Sequence, residues 1–331
     1  MGYALKETKY RYRAWTKDGV WQKGSLTTDK YITIHEGSNV FHYGQALFEG
    51  LKAYKQKDGK VVLFRPELNC ERIQSGLDRI VAPRLPREIF FEAIEEVVKA
   101  NVDDIPEYGK QQSLYIRPFV IGHGMNLGVK PSDEYLFSVF CAPVGTYFKG
   151  GLEALEFVTT QYDRAAANGM GQVKFAGNYG SSLYPRQQAK DAGYAGVIYL
   201  DPATHTKIDE VGAANFFGVT KDGVLVTPKS PSILPSITRR SILYLAEHVL
   251  GLPVEERECF IDNIDEFAEA GACGTAAIIT PIKAITHKGQ RHQFGDGTVG
   301  PTIKKLYDLL LGIYYGEIEA PEGWLHEIKF D

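Results

Sequence analysis

The first half of the chain alternates between apolar and polar residues in a way that predicts strands. The stretches KYRYRAW and KYITIHE change character at every second residue, as half-buried strands do. LKAYKQKDGKVVLFRP predicts a hairpin that turns at Asp58-Gly59. SLYIRPFVIG and EYLFSVFCAPV are largely apolar and predict buried strands. We therefore expect a β-sheet in this half.

Helical periodicity separates these strands. Apolar residues recur on one face of CERIQSGLDRIVA, and Asn69 precedes it as a candidate N-cap. PREIFFEAIEEVVKANV has the same periodicity, with Pro86 near its first turn. The mixture of strands and helices predicts the α/β class, in a mixed α+β arrangement.

The second half repeats the mixture after a change in composition. GTYFKGGLEA is rich in glycine and less apolar than its flanks, so we place an inter-domain connection at about 146–157. Beyond it, GVIYL, NFFGVT and VLVTP predict strands. TRRSILYLAEHVLG predicts a helix that stops at Gly251, and VGPTIKKLYDLLLGIYYG predicts the last helix. The predicted domains are 1–149 and 150–331.

Composition and charge narrow the function classes. The 331 residues are 44% hydrophobic and 24% charged, as in a globular protein with room for two domains. The net charge is −4 with scattered basic residues, so no nucleic-acid surface is expected. No apolar run is long enough for a bilayer, and no signal peptide is recognised at the N-terminus.

Cysteine and histidine spacing argues against a metal site. Cys70, Cys141, Cys259 and Cys273 lie far apart and match neither a CxxC pair nor a zinc motif. Reduced thiols in a cytoplasmic protein are the expectation. The eight histidines also lack ligand spacing.

Lys174 is the first candidate for chemistry, because small residues surround it in GQVKFAGNYG. A lysine that loses its proton through desolvation or a neighbouring cation can form a Schiff base. Glu210, in KIDEVGAANFF, could face a pyridine nitrogen and keep it protonated. Taken singly, Lys174 is better interpreted as a solvated lysine in a glycine loop, and Glu210 has the common alternative of an exposed acid at the start of a strand.

Three further motifs could bind anions. In SPSILPSITRRS, the amides of Ile237 and Thr238 come at a helix N-terminus, which suits a phosphate, and Thr238 could instead cap the helix. In GACGTAA, a small-residue turn would expose its amides and the Thr275 hydroxyl. Arg117, in the apolar strand SLYIRPF, needs an anionic partner, either a substrate carboxylate or a structural acid.

Together the motifs resemble a known family. YGQALFEGLKAY, LFRPELN, LYIRPF, VKFAGNYGSSL, DEVGAANFF, LPSITRRS and GACGTAA occur in this order along nearly the whole chain. They resemble the class IV aminotransferases, and most closely the branched-chain amino acid aminotransferases. The resemblance implies PLP (pyridoxal 5′-phosphate) fold type IV, with a small N-terminal α/β domain, a larger C-terminal pseudo-barrel domain and the cofactor at their interface.

The resemblance also implies roles for individual residues. Lys174 corresponds to the lysine that forms the Schiff base, Glu210 to the partner of the pyridine nitrogen, and Tyr179 to the partner of the phenolic oxygen. The implied phosphate site comprises Arg72, Ile237, Thr238 and Thr275. The implied substrate pocket comprises Tyr43, Phe48, Tyr115, Arg117, Tyr147, Ala213 and the amides of Ala276 and Ala277, with Leu127 and Val129 reaching in from the partner subunit of a homodimer.

The implied reaction is transamination of L-leucine, L-isoleucine and L-valine with 2-oxoglutarate, giving branched 2-oxo acids and L-glutamate by ping-pong kinetics. Ala213 stands where some relatives carry threonine. D-amino acid aminotransferases and aminodeoxychorismate lyases share the fold and would retain Lys174 and Glu210. A non-catalytic PLP-binding or structural homologue is the alternative outside enzymes.

Overall fold

The computed structural model describes residues 5–145 and 151–330. Of the residues singled out above, Tyr147 lies outside this part of the chain. The strands are β1 (Arg11–Lys17), β2 (Val20–Trp21), β3 (Ser25–Thr27), β4 (Ala46–Phe48), β5 (Leu51–Lys55), β6 (Val61–Phe64), β7 (Ser113–Gly122), β8 (Tyr135–Val144), β9 (Leu155–Thr159), β10 (Gly196–Leu200), β11 (Ile208–Val211), β12 (Ala214–Thr220), β13 (Leu225–Pro228), β14 (Val254–Arg257), β15 (Phe267–Gly274), β16 (Ile278–His287), β17 (Gln290–Gln293) and β18 (Leu325–Ile328). The helices are α1 (Asn39–Tyr43), α2 (Pro66–Arg79), α3 (Arg87–Ala100), α4 (Ala176–Gly180), α5 (Leu183–Asp191), α6 (Ile237–His248) and α7 (Pro301–Tyr314).

The chain forms two compact units, each made of segments that are distant in sequence. The first comprises Met1–Tyr147, Val173–Gly177 and Gly312–Asp331, and the second comprises Phe148–Gln172 and Asn178–Leu311. The first unit therefore includes Lys174 and the C-terminal strand β18. The division into domains 1–149 and 150–331 was drawn without these two returning segments, and as a domain assignment it stays a prediction.

The first unit is built on an antiparallel sheet in the order β18-β6-β5-β7-β8-β1-β2, with β3 beside β1 and β4 beside β7. Leu114 and Ile116 of β7 are fully buried, and α3 packs against β1 and β8. Because neighbouring residues of a strand face opposite ways, Tyr115 and Arg117 share the other face of this sheet. They are only partly buried.

The second unit contains a closed barrel. Its strands run β11-β10-β9-β16-β15-β12, and β11 pairs with β12 as well as with β10, which closes the ring of six. β13 and β14 continue the sheet beyond β12, and β17 pairs with β16. Buried apolar residues such as Ile198, Phe216 and Ile285 form its core. The expected mixed α/β fold with a pseudo-barrel is confirmed.

Several local expectations were wrong, for identifiable reasons. KYITIHE forms no strand within the described residues: Ile32 and Ile34 pack on a small apolar cluster without a pairing partner. Asn69 does not cap α2, because that helix begins at Pro66, which suits the first helical position. Helix α6 ends at His248, before Gly251, whose φ of 66° is left-handed as expected.

The described residues also bear on the expectations about cysteines, metal sites and membrane spans. All four cysteines are buried thiols. Among residues 5–145 and 151–330, no group of three or more His, Cys, Asp or Glu could hold a metal ion. In these ranges, every helix is too short or too polar to cross a bilayer.

Candidate active site

Lys174 is held at the edge of the first unit's sheet by its own backbone. The amide of Phe48 donates to the carbonyl of Lys174 at 3.2 Å, and Leu47 forms a β-bridge with Phe175. Helix α4 begins directly afterwards, at Ala176. The Lys174 side chain is half-buried, with Nζ 4.9 Å from the centre of the Phe48 ring. The amine is therefore placed against an aromatic face.

The surroundings of Lys174 favour its neutral amine. Burial and then the nearby Arg72 guanidinium lower the pKa of Lys174 from 10.5 to about 8, and Arg117 acts in the same direction. Glu49 and Tyr115 oppose the shift without cancelling it. A lysine whose pKa lies near neutrality can supply an uncharged amine, which is the nucleophile that carbonyl compounds require.

Glu49 and Arg72 form a buried ion pair beside this lysine. Nε and Nη2 of Arg72 donate to the two carboxylate oxygens of Glu49 at 2.8 and 2.7 Å, and Asn69 Nδ2 donates to Glu49 Oε2 at 2.7 Å. Burial opposes ionisation of Glu49, but Arg72, Lys174 and Asn69 outweigh it and lower its pKa. The bidentate contact fixes the plane of the Arg72 guanidinium.

An aromatic and cationic surface adjoins Lys174. Arg117 Nη2 donates to the Tyr115 hydroxyl at 3.1 Å, and the Arg117 guanidinium carbon lies 4.7 Å from the centre of the Phe48 ring. Gly50 permits this arrangement, since a side chain there would collide with the Tyr115 hydroxyl. The sequence left open whether Arg117 pairs with a substrate carboxylate or with a structural acid. Within the described residues, Arg117 forms no ion pair with an acid.

One polar atom of Arg117 lacks a partner among the described residues. Its Nε is buried and has no hydrogen-bond partner in the described ranges. A buried donor without a partner is costly, so an arginine left this way is suited to an anion that arrives with the substrate.

The segment around Leu127 is apolar and exposed in this chain. Leu127 and Val129 are 93% and 88% accessible, and Met125 is 71% accessible. The Tyr43 hydroxyl donates to the carbonyl of Leu127, which links α1 to this segment. Large apolar side chains exposed together are typical of an interaction surface.

Glu210 lies within β11 and is 3% exposed, so the alternative of an exposed acid at the start of a strand was wrong. Its Oε1 accepts from the Leu234 amide at 2.8 Å and from Asn215 Nδ2 at 3.3 Å. Arg164 Nε lies 3.3 Å from Oε2. A buried carboxylate with these partners is oriented and kept close to a cation.

The N-terminus of α6 is formed as the sequence indicates. Ser236 is its N-cap, and the Ser236 hydroxyl accepts from the amide of Arg239 at 3.2 Å. Thr238 therefore does not cap the helix. Ile237 and Thr238 are both buried in the first turn, and their amides point toward the N-terminal end, where an anion is favoured.

The small residues that the sequence singles out as possible ligand-binding positions in the second unit lie at the tips of two hairpins. Thr275, Ala276 and Ala277 form the three-residue turn between β15 and β16, closed by the pair Gly274 and Ile278. Ile278 has a φ of 66°, the left-handed conformation that ends such turns. In the hairpin of β11 and β12, exposed Ala213 follows left-handed Gly212.

Each unit thus assembles its own share of the candidates. The first brings Lys174, Arg72, Phe48, Tyr115 and Arg117 into one group. The second contains Tyr179 in α4, Glu210 in β11, the start of α6 and the two hairpin tips.

Sequence reasoning missed three residues that hold these groups: Glu49, Arg164 and Asn215. For Glu49 a signal existed, namely an acid inside the apolar run ALFEGLKAY. Arg164 and Asn215 gave no comparable signal, because an arginine in a loop and an asparagine in a strand have many ordinary explanations.

The chain is similar to known proteins over nearly its whole length. The family model for amino-transferase class IV matches residues 46–285. A branched-chain-amino-acid aminotransferase of Haemophilus influenzae is 55% identical, over 99% of this chain and 98% of its own length. The crystal structure of the Escherichia coli branched-chain amino acid aminotransferase has a TM-score of 0.80 and 29% identity, covering 98% of this chain and 100% of that one.

A further solved structure is informative about the cofactor. The branched-chain amino acid aminotransferase from Thermobaculum terrenum, in its PLP form, has a TM-score of 0.82 and 26% identity, covering 98% of this chain and 99% of that one. The chain therefore belongs to the PLP-dependent class IV aminotransferases, among the transaminases of branched-chain amino acids.

Proposed function

We propose that this chain transfers the amino group of L-leucine, L-isoleucine and L-valine to 2-oxoglutarate, with PLP bonded to Lys174. The observation that carries the proposal is the half-buried Lys174 amine, whose pKa is lowered to about 8 beside Arg72 and Arg117. The H. influenzae relative, 55% identical, is a branched-chain-amino-acid aminotransferase.

The residues of the chain fit PLP in their chemistry. An uncharged lysine amine suits the aldehyde, and the buried Glu210 carboxylate suits a protonated pyridine nitrogen. The guanidinium of Arg72, the first amides of α6 and the Thr275 hydroxyl suit a phosphate. Tyr179 supplies a hydroxyl for the phenolic oxygen.

The chain's residues would then perform a proton transfer. PLP, when bound, supplies an electron sink for the carbanion at the substrate Cα. The Lys174 amine takes the Cα proton and later returns a proton, which requires a pKa near the working pH. Glu210 holds the proton on the ring nitrogen, and Arg164, whose Nε lies 3.3 Å from Oε2, holds the Glu210 carboxylate in place. Two half-reactions at one site give ping-pong kinetics.

The substrate pocket must accept two kinds of side chain: the branched alkyl group of leucine, isoleucine or valine, and the carboxylate-bearing side chain of glutamate. We propose that Phe48, Tyr115 and Tyr43 bury the alkyl group, at about 0.8 kcal/mol for each methylene removed from water. Arg117 receives the distal carboxylate of glutamate, since its buried Nε lacks a hydrogen-bond partner within the described residues. The amides of Ala276 and Ala277 at their hairpin tip would bind the α-carboxylate, with Ala213 nearby.

We also propose a homodimer and a cytoplasmic location. The exposed apolar side chains of Leu127 and Val129 support the dimer, because a second subunit would remove them from water. The four buried thiols suit a reducing compartment.

The function is tested by absorbance during each half-reaction. L-Leucine should convert the bound PLP to its aminated form, and 2-oxoglutarate should restore the original spectrum, whereas D-leucine should do neither. Lys174→Ala should lose turnover by about 10²–10⁴-fold because the proton carrier is absent. Lys60→Ala, which changes an exposed lysine, is the control. Full leucine turnover by Lys174→Ala, or reaction with D-leucine alone, would contradict the proposal.

The lowered pKa of Lys174 predicts when its amine reacts. Only the neutral amine is acylated, so labelling of the PLP-free protein should rise with pH around 8 at Lys174 instead of near 10.5. Lys60 is the internal control, because a hydrogen bond to Asp58 raises its pKa above 10.5. Peptide mass spectrometry after competitive acylation reports both residues. If the two lysines were labelled with the same pH dependence, the assigned environment would be wrong.

Arg117→Leu should separate the two substrate classes. Without the guanidinium, KM for L-glutamate and 2-oxoglutarate should rise about 10–100-fold, as expected for loss of a charge-assisted hydrogen bond. KM for L-leucine should change less than about threefold because its side chain needs no cation. Arg117→Lys should recover part of the glutamate activity. Steady-state kinetics with both amino acids measure this, and equal losses would refute the role of Arg117.

The dimer is tested by light scattering. The wild-type molar mass should be about twice 36.8 kDa. Leu127→Glu should shift the equilibrium to monomers, because a charge would be buried without a partner. Leu183→Glu, at another exposed leucine, is the matched control and should stay dimeric. A monomeric wild type, or identical masses for all three proteins, would exclude this interface.

A further inference from the structure

Several residues of the second unit contact Ser232. It is 3% exposed in the loop that joins β13 to α6. Its hydroxyl donates to Asp209 Oδ2 at 2.6 Å, and its carbonyl accepts from Arg164 Nη2. Gly171 lies so close that any side chain there would collide with the same carbonyl. We refer to Arg164, Gly171, Asp209 and Ser232 as the Ser232 cluster.

Two adjacent residues of β11 hold this loop at two points. Asp209 holds the side chain of Ser232, and Glu210 accepts from the backbone amide of Leu234 at 2.8 Å. Ser236, two residues later, caps α6. The position of the first turn of α6 is therefore coupled to β11 through a short, doubly anchored segment.

Arg164 connects the same loop to two further functional segments. Its Nη2 also donates to the carbonyl of Gly171 at 3.1 Å, three residues before Lys174. Its Nε lies 3.3 Å from Glu210 Oε2. One guanidinium thus contacts the acid of β11, the chain that leads to the lysine, and the loop that leads to α6.

Burial of the Asp209 carboxyl group lowers the stability of the folded state. Asp209 is 4% exposed, and in the part of the chain that the structure describes its Oδ1 has no hydrogen-bond partner. Burial raises the pKa of this carboxyl. A half-satisfied buried acid lowers stability. Its presence beneath the loop suggests a function in fixing the loop in place.

We propose that Asp209 and Ser232 are positioning residues that set the N-terminus of α6 for the phosphate group of PLP. The proposal rests on the proposed function, because it assumes that the first amides of α6 bind this phosphate. Neither residue contacts the reacting atoms in this scheme. They act by fixing the direction of the Ile237 and Thr238 amides.

The test uses the holoenzyme with Ser232→Ala, Asp209→Ala and Asp209→Asn. Loss of the bond should increase the dissociation rate of PLP about tenfold, a size expected for one buried hydrogen bond to a carboxylate. The ³¹P resonance of the bound phosphate should move as well. Asp209→Asn should stay within about threefold of the wild type, because its amide oxygen still accepts from Ser232.

Thr227→Val is the matched control. Thr227 also donates a buried hydrogen bond from its hydroxyl, to the backbone carbonyl of Phe216 at 2.7 Å, but does not hold the loop. It should lower stability without moving the ³¹P resonance. The double variant Asp209→Ala/Ser232→Ala should release PLP no faster than the worse single variant, since both remove one bond.

The inference is overturned if Ser232→Ala or Asp209→Ala, whichever folds, keeps the wild-type dissociation rate and ³¹P resonance. It is equally overturned if Thr227→Val changes both as much. A wild-type protein that bound no PLP would instead contradict the proposed function. The two failures are therefore distinguishable.

Discussion

A lysine amine can bond to an aldehyde only while it is uncharged, and the rest of the site depends on this condition at Lys174. Burial removes water from the ammonium form, and the guanidinium groups of Arg72 and Arg117 disfavour a third positive charge. Glu49 opposes this effect, but both its oxygens are engaged by Arg72. The pair therefore keeps the carboxylate ionised and limits its influence on the lysine.

In the second unit, the buried side chain surrounded by charged and polar partners is an acid, Glu210, instead of a lysine. Glu210 is buried, and the Leu234 amide, the Asn215 side chain and Arg164 surround it and fix its direction. Both units thus use a buried arginine and glutamate close together. Such pairs are weak contributors to stability, because desolvation offsets most of the attraction. Each pair fixes the direction of a charged group that takes part in the proposed function.

Sequence reasoning singles out candidates most readily where a residue type is rare in its setting. Lys174 among glycines and Arg117 in an apolar strand are conspicuous, and the order of motifs identified the family. The burial of Glu210 was not predicted, because strand β11 is only four residues long and follows a polar turn. Asn69 was misinterpreted as a cap because a local rule for helix starts ignores a tertiary partner, here Glu49. The clustering of Asp209 with Ser232 depends on contacts across 23 residues that no periodicity encodes.

The most direct test of the account is chemical trapping of the bond at Lys174. The purified holoenzyme is reduced with borohydride, digested, and its peptides are mapped by mass spectrometry. The account predicts a phosphopyridoxyl group on Lys174 and unmodified lysines elsewhere. A phosphopyridoxyl group on a different lysine, with position 174 unmodified, would contradict it.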